Sequence, residues 1–565
     1  MKKLSPLAAW AATATAFFNS KDQPGLHWGH ASEHTGFVGA SAPSAARQPR
    51  EKHAFLTDKT SKFAVNGTSI PDVGFDAGES YAGLLPIDAG DGDGDGEMQE
   101  LYFWFFPKEK PSDGDKEIVI WLTGGPGCSS IGELLQENGP ISWKPGTRAP
   151  VRNPWSWHRL ANVVWVDQPV GTGYSRGPVT ATDERDVARQ FLGFWRNFVD
   201  AFGLRGYKVY VAGSFYSGLF TPYISSAMLD ARDDAGDGGG GGGGGYFDVG
   251  GMMVLDPLLS QYALGQDFAV SRVLDYWGPA FSLNETTREA VREMEDRCGY
   301  RDYVDRYLAF PPSGVQPVEI PGSSRYGDHV PECDALALVT AAERAANPCF
   351  SVFNVLRACP LPFDPLGFSE NTWYHPGPGP VYFDRPDVKA AIHAPPDGEW
   401  RFCSRRAAFA GGVDGSLAPG PGSLPVIPGV VERTGNVVVG HGLRDLMVQS
   451  AGTLMAIQNM TWGGALGFQS RPGSTLRVPH HGYGGDAAED GMPGGGGGGE
   501  LGVWHSERGL TYFETPTAGH FLGRDAPSVS FRALEVLLGR VRDFGSDAPF
   551  TTDLEERRAA LSEEL

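Results

Sequence analysis

A mostly parallel α/β sheet, flanked by helices and interrupted by one long inserted cap, is the fold this chain predicts. The prediction rests on strand-like apolar runs alternating with helical patterns along most of the chain, and on a Pro-, Gly- and Cys-rich stretch that breaks the series. Runs at 117–122, 162–167, 208–211, 251–255 and 436–439 read as short buried strands. Between the second and third, Val187, Phe191, Phe194, Phe198 and Phe202 recur three or four apart, which puts them on one face of a helix. The stretch from about 259 to 430 reads as the cap over the strand ends. These elements spread over positions 45–545, so one large domain fits better than several.

The segments outside the series have simpler readings. Residues 1–18 open with Met1-Lys-Lys3, continue through a short apolar stretch and end in small residues, the pattern of a signal peptide. No later segment reaches the ~20 apolar residues that span a bilayer, so the chain is expected to be exported, secreted or vacuolar, without a membrane anchor. The sequons at Asn66, Asn284 and Asn459 are candidate glycosylation sites on that route. Residues 546–565 read as an acidic C-terminal tail. A formal net charge of -21 and a pI near 5.1 leave no basic stripe for phosphates, which excludes nucleic acid as a partner. The acidic run 88–96 does not make a calcium loop: counting from Asp91, the twelfth place that a bidentate Glu should fill holds Tyr102. The glycine runs 238–245 and 494–499 have nothing to bury and read as surface loops.

The run of strand, glycine-bounded turn and helix around Gly213-Ser-Phe-Tyr-Ser-Gly218 carries the chemistry. This is the layout of a nucleophile elbow, in which a tight turn lifts one side chain above the sheet. The lifted position holds Phe215. A second stretch, Gly78-Glu-Ser-Tyr-Ala-Gly83, spells an elbow with Ser80 at its centre. No buried strand precedes it, Pro86 would break a helix after it, and it lies upstream of the Trp121 strand. It reads as a strand-and-turn segment packed on the sheet.

With Trp121-Leu-Thr-Gly-Gly-Pro-Gly-Cys-Ser-Ser130, Glu137-Asn-Gly-Pro140, Val166-Asp-Gln-Pro-Val-Gly-Thr-Gly-Tyr-Ser175 and Gly519-His520 in order, the chain resembles the serine carboxypeptidases of the α/β-hydrolase fold, especially the fungal secreted kind. The resemblance implies a triad order of nucleophile, acid and histidine, which makes Asp445 of His441-Gly-Leu-Arg-Asp445 the acid and His520 the base. It implies oxyanion donors at the N–H groups of Gly125 and Tyr216. The family's elbow is Gly-Glu-Ser-Tyr-Ala-Gly, so Phe215 stands at the serine and Ser214 at the glutamate. Its carboxylate-holding residues correspond to Thr123, Ser214 and Glu137, of which only Glu137 keeps the family's residue type. With Ser214, the proton-sharing pair of carboxyls is expected to be gone. Gly-His-Met-Val-Pro after the base has become Gly519-His-Phe-Leu-Gly523.

Six cysteines, Cys128, Cys298, Cys333, Cys349, Cys359 and Cys403, form an even set with fifteen pairings open and no Cys-x-x-Cys to suggest zinc. The resemblance implies a Cys128 to Cys359 bridge and leaves Cys403 either paired or a free thiol near the site. No metal or cofactor is expected.

Two functions stay open. A non-catalytic member of the family follows from Phe215, which has no proton to give and no lone pair to attack with. An active serine carboxypeptidase, releasing C-terminal residues at acidic pH, follows only if Ser214 or Ser217 substitutes or the codon at 215 is misread. An acyltransferase would need the same missing nucleophile. The partner is a peptide C-terminus or an unassigned pocket ligand, and nothing bears on the oligomeric state. Phe215→Ser alone is expected to return little activity, and Ser214→Glu with Thr123→Asn to return more.

Overall fold

The computed structural model describes residues 53–554 apart from 89–97, 113, 235–244, 325–329, 369–380, 418–419 and 482–496. The signal-peptide segment, most of the acidic run and of the glycine run 238–245, half of the glycine run 494–499, and residues 555–565 lie outside the described residues.

Eleven strands form one sheet: β1 (Ala64–Val65), β2 (Ser80–Pro86), β3 (Glu100–Phe106), β4 (Glu117–Leu122), β5 (Asn162–Asp167), β6 (Lys208–Ser214), β7 (Asp248–Leu255), β8 (Val437–Gly442), β9 (Ser474–Val478), β10 (Gly499–Glu507) and β11 (Leu510–Thr515). Their order is β1-β2-β3-β5-β4-β6-β7-β8-β11-β10-β9. The six strands from β5 to β11 run parallel to their neighbours. Antiparallel strands extend both sides. Parallel strands covered on both faces must be apolar throughout, which is how Val163, Val164, Trp165 and Val166 of β5 come to be fully buried.

The sequence pattern passes over β3, β9 and β10. In β3 every residue from Leu101 to Phe106 is buried, with Phe103 and Phe105 in the core on one face of the sheet and Tyr102, Trp104 and Phe106 in the core on the other. Such a run has no period of two to read.

Helix α1 (Ser130–Glu133) follows the glycine turn after β4 and passes into a π-helical stretch, Leu134–Asn138. Helix α2 (Glu184–Phe202) buries the predicted stripe Val187, Phe191, Phe194, Phe198 and Phe202. Asp183 caps it by accepting from the N–H groups of Arg185 and Asp186, and Gly203 ends it at φ 69°. Helix α3 (Ser217–Asp234) follows the elbow, and α4 (Pro527–Leu537) packs on the opposite face with Phe531 and Leu534 in the second core.

Between β7 and β8 the chain leaves the sheet and builds helices at Val270–Tyr276, Glu285–Arg297, Tyr300–Tyr307 and Ala335–Ala346. They enclose a small core of Val270, Leu274, Val291, Val339 and Phe350. Among the described residues, no helix is long and apolar enough to cross a membrane.

Two expectations are corrected. Cys128 pairs with Cys403, not with Cys359, because the 402–404 segment lies against the glycine turn: Ser129 N–H donates to Phe402 O at 2.7 Å and Ser404 N–H to Gly127 O at 2.8 Å. Cys359 closes a ten-residue loop with Cys349, and Cys298 pairs with Cys333. Cys403 is therefore not a free thiol. The body also extends past 545. Phe550 is fully buried against Trp155 and Phe531, and the Thr551 N–H and hydroxyl both donate to Glu535 at 2.7 Å.

Candidate active site

The elbow forms where β6 ends and α3 begins, and its tightness is set by glycines. A Cβ on Gly213 would lie 2.0 Å from Ser217 Oγ and 2.1 Å from Leu122 O, and one on Gly218 would lie 2.4 Å from Leu258 O. Phe215 sits at the tip with φ 54°, left-handed backbone that a residue with a Cβ adopts at a cost of ~1–2 kcal/mol. Its N–H donates to Leu255 O at 3.0 Å, and its carbonyl accepts from Gly218 N–H at 2.9 Å and Leu258 N–H at 3.0 Å.

The Phe215 ring, half-buried, meets the imidazole of His520 edge to face with centroids 4.9 Å apart. His520 is held from its other side: Nδ1 lies 2.6 Å from Asp445 Oδ2, and its N–H donates to Phe353 O in the cap at 2.8 Å. A Cβ on Gly519 would come within 2.2 Å of that same carbonyl, so only glycine lets the His520 loop approach the cap. Asp445 accepts from Met447 N–H at 2.8 Å and Val448 N–H at 3.2 Å on its other oxygen. Nδ1–H thus donates to the carboxylate and the imidazole lone pair is left on Nε2.

The glycine loop after β4 lies over the elbow. A Cβ on Gly124 would be 2.2 Å from Tyr216 N, which places the backbone of Gly125 and Tyr216 beside the Phe215 tip. Gly125 has φ 125°, and Cys128 N–H closes the loop on Gly124 O at 3.0 Å.

The neighbouring serines point elsewhere. Ser217 Oγ is 2.6 Å from Thr221 Oγ1 inside α3. Ser214 Oγ donates to Glu133, 2.9 and 3.0 Å from its two oxygens. Ser80 opens β2, paired with Val65, six strand positions from β8, roughly 29 Å at about 4.8 Å per strand.

Glu133 is a buried carboxyl beside the elbow that the family's wording does not name, while the pair through position 214 is gone with Ser214. Its carboxylate accepts from Thr123 Oγ1 at 2.6 Å and Trp121 Nε1 at 2.8 Å as well as from Ser214. The two positions that depart from the family's wording, Thr123 and Ser214, are both hydroxyl donors to this buried glutamate. Glu137, one helical turn on, accepts from Gly523 N–H at 2.9 Å. Burial first, then the charge of Glu133, pushes Glu137 well above the ordinary carboxylate range; burial also raises Glu133. The signal for Glu133 was available in the sequence: an acid four residues before Glu137, inside the apolar run Ile131 to Leu135, lies on the same helix face.

Asp256, His441 and Asp445 bring ligand-type atoms within 4.8 Å of one another. His441 Nε2 donates to Val448 O at 2.8 Å, Asp445 is committed to His520, and Asp256 accepts from Gly442 N–H at 2.7 Å, so each of the three is engaged by a partner of its own. Burial and the adjacent Asp445 hold Asp256 well above the usual range.

This arrangement, an elbow after a central strand with an Asp–His pair delivered by later strands, is matched along most of the chain by a serine carboxypeptidase family model, over residues 72–540. The chain belongs to the serine carboxypeptidase family. A probable serine carboxypeptidase of Arthroderma benhamiae is 41% identical over 550 residues, 96% of this chain and 98% of that protein. Serine-type carboxypeptidase F of Aspergillus niger is 41% identical over 500 residues, 87% of this chain and 89% of that one. Among solved structures, Kex1(delta)p, a prohormone-processing carboxypeptidase from Saccharomyces cerevisiae, superposes with a TM-score of 0.62 at 19% identity, covering 86% of this chain and 98% of that chain. That likeness supports the α/β-hydrolase fold of this serine carboxypeptidase homologue.

Proposed function

We propose that this family member is non-catalytic. The observation that carries the reading is Phe215 at the elbow tip, its ring against His520 where acyl transfer needs a hydroxyl or thiol. In a working site the histidine takes the nucleophile's proton, the aspartate fixes the imidazole tautomer, and backbone N–H groups stabilise the oxyanion. Here Asp445 and His520 keep the geometry for the second of these tasks, and Gly125 and Tyr216 keep the backbone for the third. The first has no proton to move. Ser214 and Ser217, the two hydroxyls close enough in sequence to substitute, are engaged by Glu133 and Thr221, which supports the reading further.

Loss of the nucleophile alone leaves roughly 10³ to 10⁴-fold catalysis over water, far short of a complete triad. The test measures release of the last residue from blocked dipeptides between pH 4 and 7.5, beside an active relative. Turnover comparable to the relative, and abolished by His520→Ala, would overturn the reading in favour of an active serine carboxypeptidase, which the retained Asp445–His520 contact otherwise favours. The same proposal takes the protein along the secretory route as a glycoprotein. Asn66 and Asn284 are exposed and Asn459 is half-buried, and mass analysis of the secreted chain before and after deglycosylation checks it.

A further inference from the structure

Glu184 on the first turn of α2 and Asp414 in the cap bring two carboxyls together at 0% and 5% exposure. Asp414 is well supplied with donors: Ser416 N–H reaches Oδ1 at 2.8 Å and the Tyr216 hydroxyl reaches Oδ2 at 2.7 Å. Among the described residues, neither oxygen of Glu184 accepts a hydrogen bond, and its side chain bonds to the Asp414 carboxyl instead. Two carboxyls can hydrogen-bond only when one of them carries a proton. Asp414, with its donors, suits the anion, so the proton belongs to Glu184.

This contact ties a strap of the cap, residues 408–417, to the wall of the site. Ala410 N–H donates to Ala181 O at 2.7 Å, Gly415 N–H to Thr182 O at 2.9 Å, and Glu184 N–H to Ser416 Oγ at 3.0 Å. The strap begins against the glycine loop, where a Cβ on Gly127 would lie 3.7 Å from that of Ala408. Phe409, buried, stands beside the Tyr216 ring with centroids 6.5 Å apart, and Tyr216 is the residue whose backbone adjoins the Phe215 tip. The charges acting on Glu184 are those of Asp414 and Asp183, both acidic. Arg185, mostly exposed, lies 3.9 Å from Asp183, and Asp186 is turned to Thr182. Tyr216 and Tyr223 of α3 face the pair as phenols pushed up by burial, and Tyr262 of the cap packs beside Tyr216. Burial first, then the charge of Asp414, holds Glu184 well above the ordinary carboxylate range, and burial also raises Asp414.

We propose that Glu184 and Asp414 form a one-proton latch that closes the 408–417 strap over the Tyr216 side of the site in acid and releases it towards neutral pH. Closed, the pair keeps a single proton between the carboxyls. Open, both carboxyls reach water, where each titrates in the ordinary range near 4. Opening therefore sheds that proton. Its equilibrium constant grows towards tenfold per pH unit above the ordinary carboxylate range, and levels off where the closed pair itself ionises. Once both are ionised, the two charges repel across a buried contact that has no cation to offset them. The latch uses neither Phe215, Asp445 nor His520, so it stands apart from the non-catalytic reading.

The experiment is amide hydrogen exchange of the full-length secreted protein at pH 4.5 and 7.5, read by mass spectrometry and corrected for the intrinsic change of exchange rate with pH. Peptides covering 408–417 are expected to lose at least about tenfold in protection at the higher pH, the signature of local opening. Strands β4 and β6 and the cap helices Glu285–Arg297 and Ala335–Ala346 should keep theirs. Glu184→Gln retains a donor to Asp414 but has no proton to lose, so its strap should stay protected at both pH values. Asp414→Asn removes the second charge and should shrink the loss, which decides the matter should Glu184→Gln fail to fold. Circular dichroism melts confirm that each variant is folded. Equal strap protection at the two pH values overturns the latch, as does a folded Glu184→Gln chain that keeps the wild-type loss. A loss shared by the strap and the cap helices also overturns it, since that is loosening of the whole cap. No readout depends on turnover, so the non-catalytic reading stands or falls separately.

Discussion

Phe215 and His520 meet edge to face, ring centroids 4.9 Å apart, at a turn whose left-handed backbone belongs to the elbow and not to the residue on it. Gly213 and Gly218 admit the close contacts that set the turn, so its conformation survives a change at 215.

Phe215→Ser should therefore place a hydroxyl within reach of His520 without rebuilding the fold. A fluorophosphonate probe is expected to leave the wild-type chain unlabelled and to label the variant at position 215, with the modified residue mapped by mass spectrometry. Labelling of wild-type Ser214 or Ser217 would show that a neighbour had taken the role.

Ser214→Glu, which the family's wording recommends, should harm rather than help. It removes a donor from Glu133 and adds a third carboxyl to a buried site that already holds two. We expect ~2–4 kcal/mol of destabilisation at pH 7, smaller at pH 4.5, and relieved when combined with Glu133→Gln. In a Phe215→Ser background, kcat/KM should fall on adding Ser214→Glu alone and recover in the triple variant. Thermal melts and dipeptide assays read both effects.

Cys403→Ser should free the 402–404 segment from the glycine loop. The bridge spans 275 residues, and the chain-entropy argument gives about 5.6 kcal/mol as its upper contribution. Peptide mapping without reduction is expected to find Cys128 joined to Cys403, and the variant's melting temperature to fall by several degrees. A Cys128 to Cys359 peptide would contradict the packing described above.

Stability should rise on mild acidification. Burial raises Asp167 from 3.8 to about 6, against the N–H of Tyr174 and the hydroxyl of Ser129. A carboxyl with a raised folded pKa binds its proton more tightly in the folded state, so its penalty grows as pH climbs from about 4 to 6 and is complete above that. For Asp167 the shift corresponds to about 3 kcal/mol. Glu137, Asp256 and Glu184 are raised well above the ordinary range by burial and act in the same direction. Asp525, also buried, is pulled low by Arg524 and Arg357 and opposes them, chiefly below pH 4. The melting temperature is expected to increase from pH 7.5 to about 4.5. Asp167→Asn should shrink that increase, and a steady fall on acidification would refute the assignment.

Local pattern was enough for the parallel strands, the Phe-rich face of α2 and the elbow, because each is a short-range rule: alternation of elements, a stripe three or four apart, glycines around a turn. Asp445 and His520, 75 residues apart, could be named from order and resemblance, and the fold puts them 2.6 Å apart. The sequence by itself also determined that residue 215 lacks a nucleophile, since that is a matter of composition at one position. Tertiary structure decided what surrounds that position. Cysteine pairing depends on which loops lie together, and no spacing shows that 402–404 runs beside Gly127. Within the elbow itself, Ser214 is simply the loss of a carboxyl. Only the approach of α1 to β6 reveals that Glu133 supplies the charge from the other side, with Thr123 and Ser214 as its donors: a hydrogen bond is specified by position in space, and residues 81 apart in sequence share one only when the sheet brings their strands and helices together.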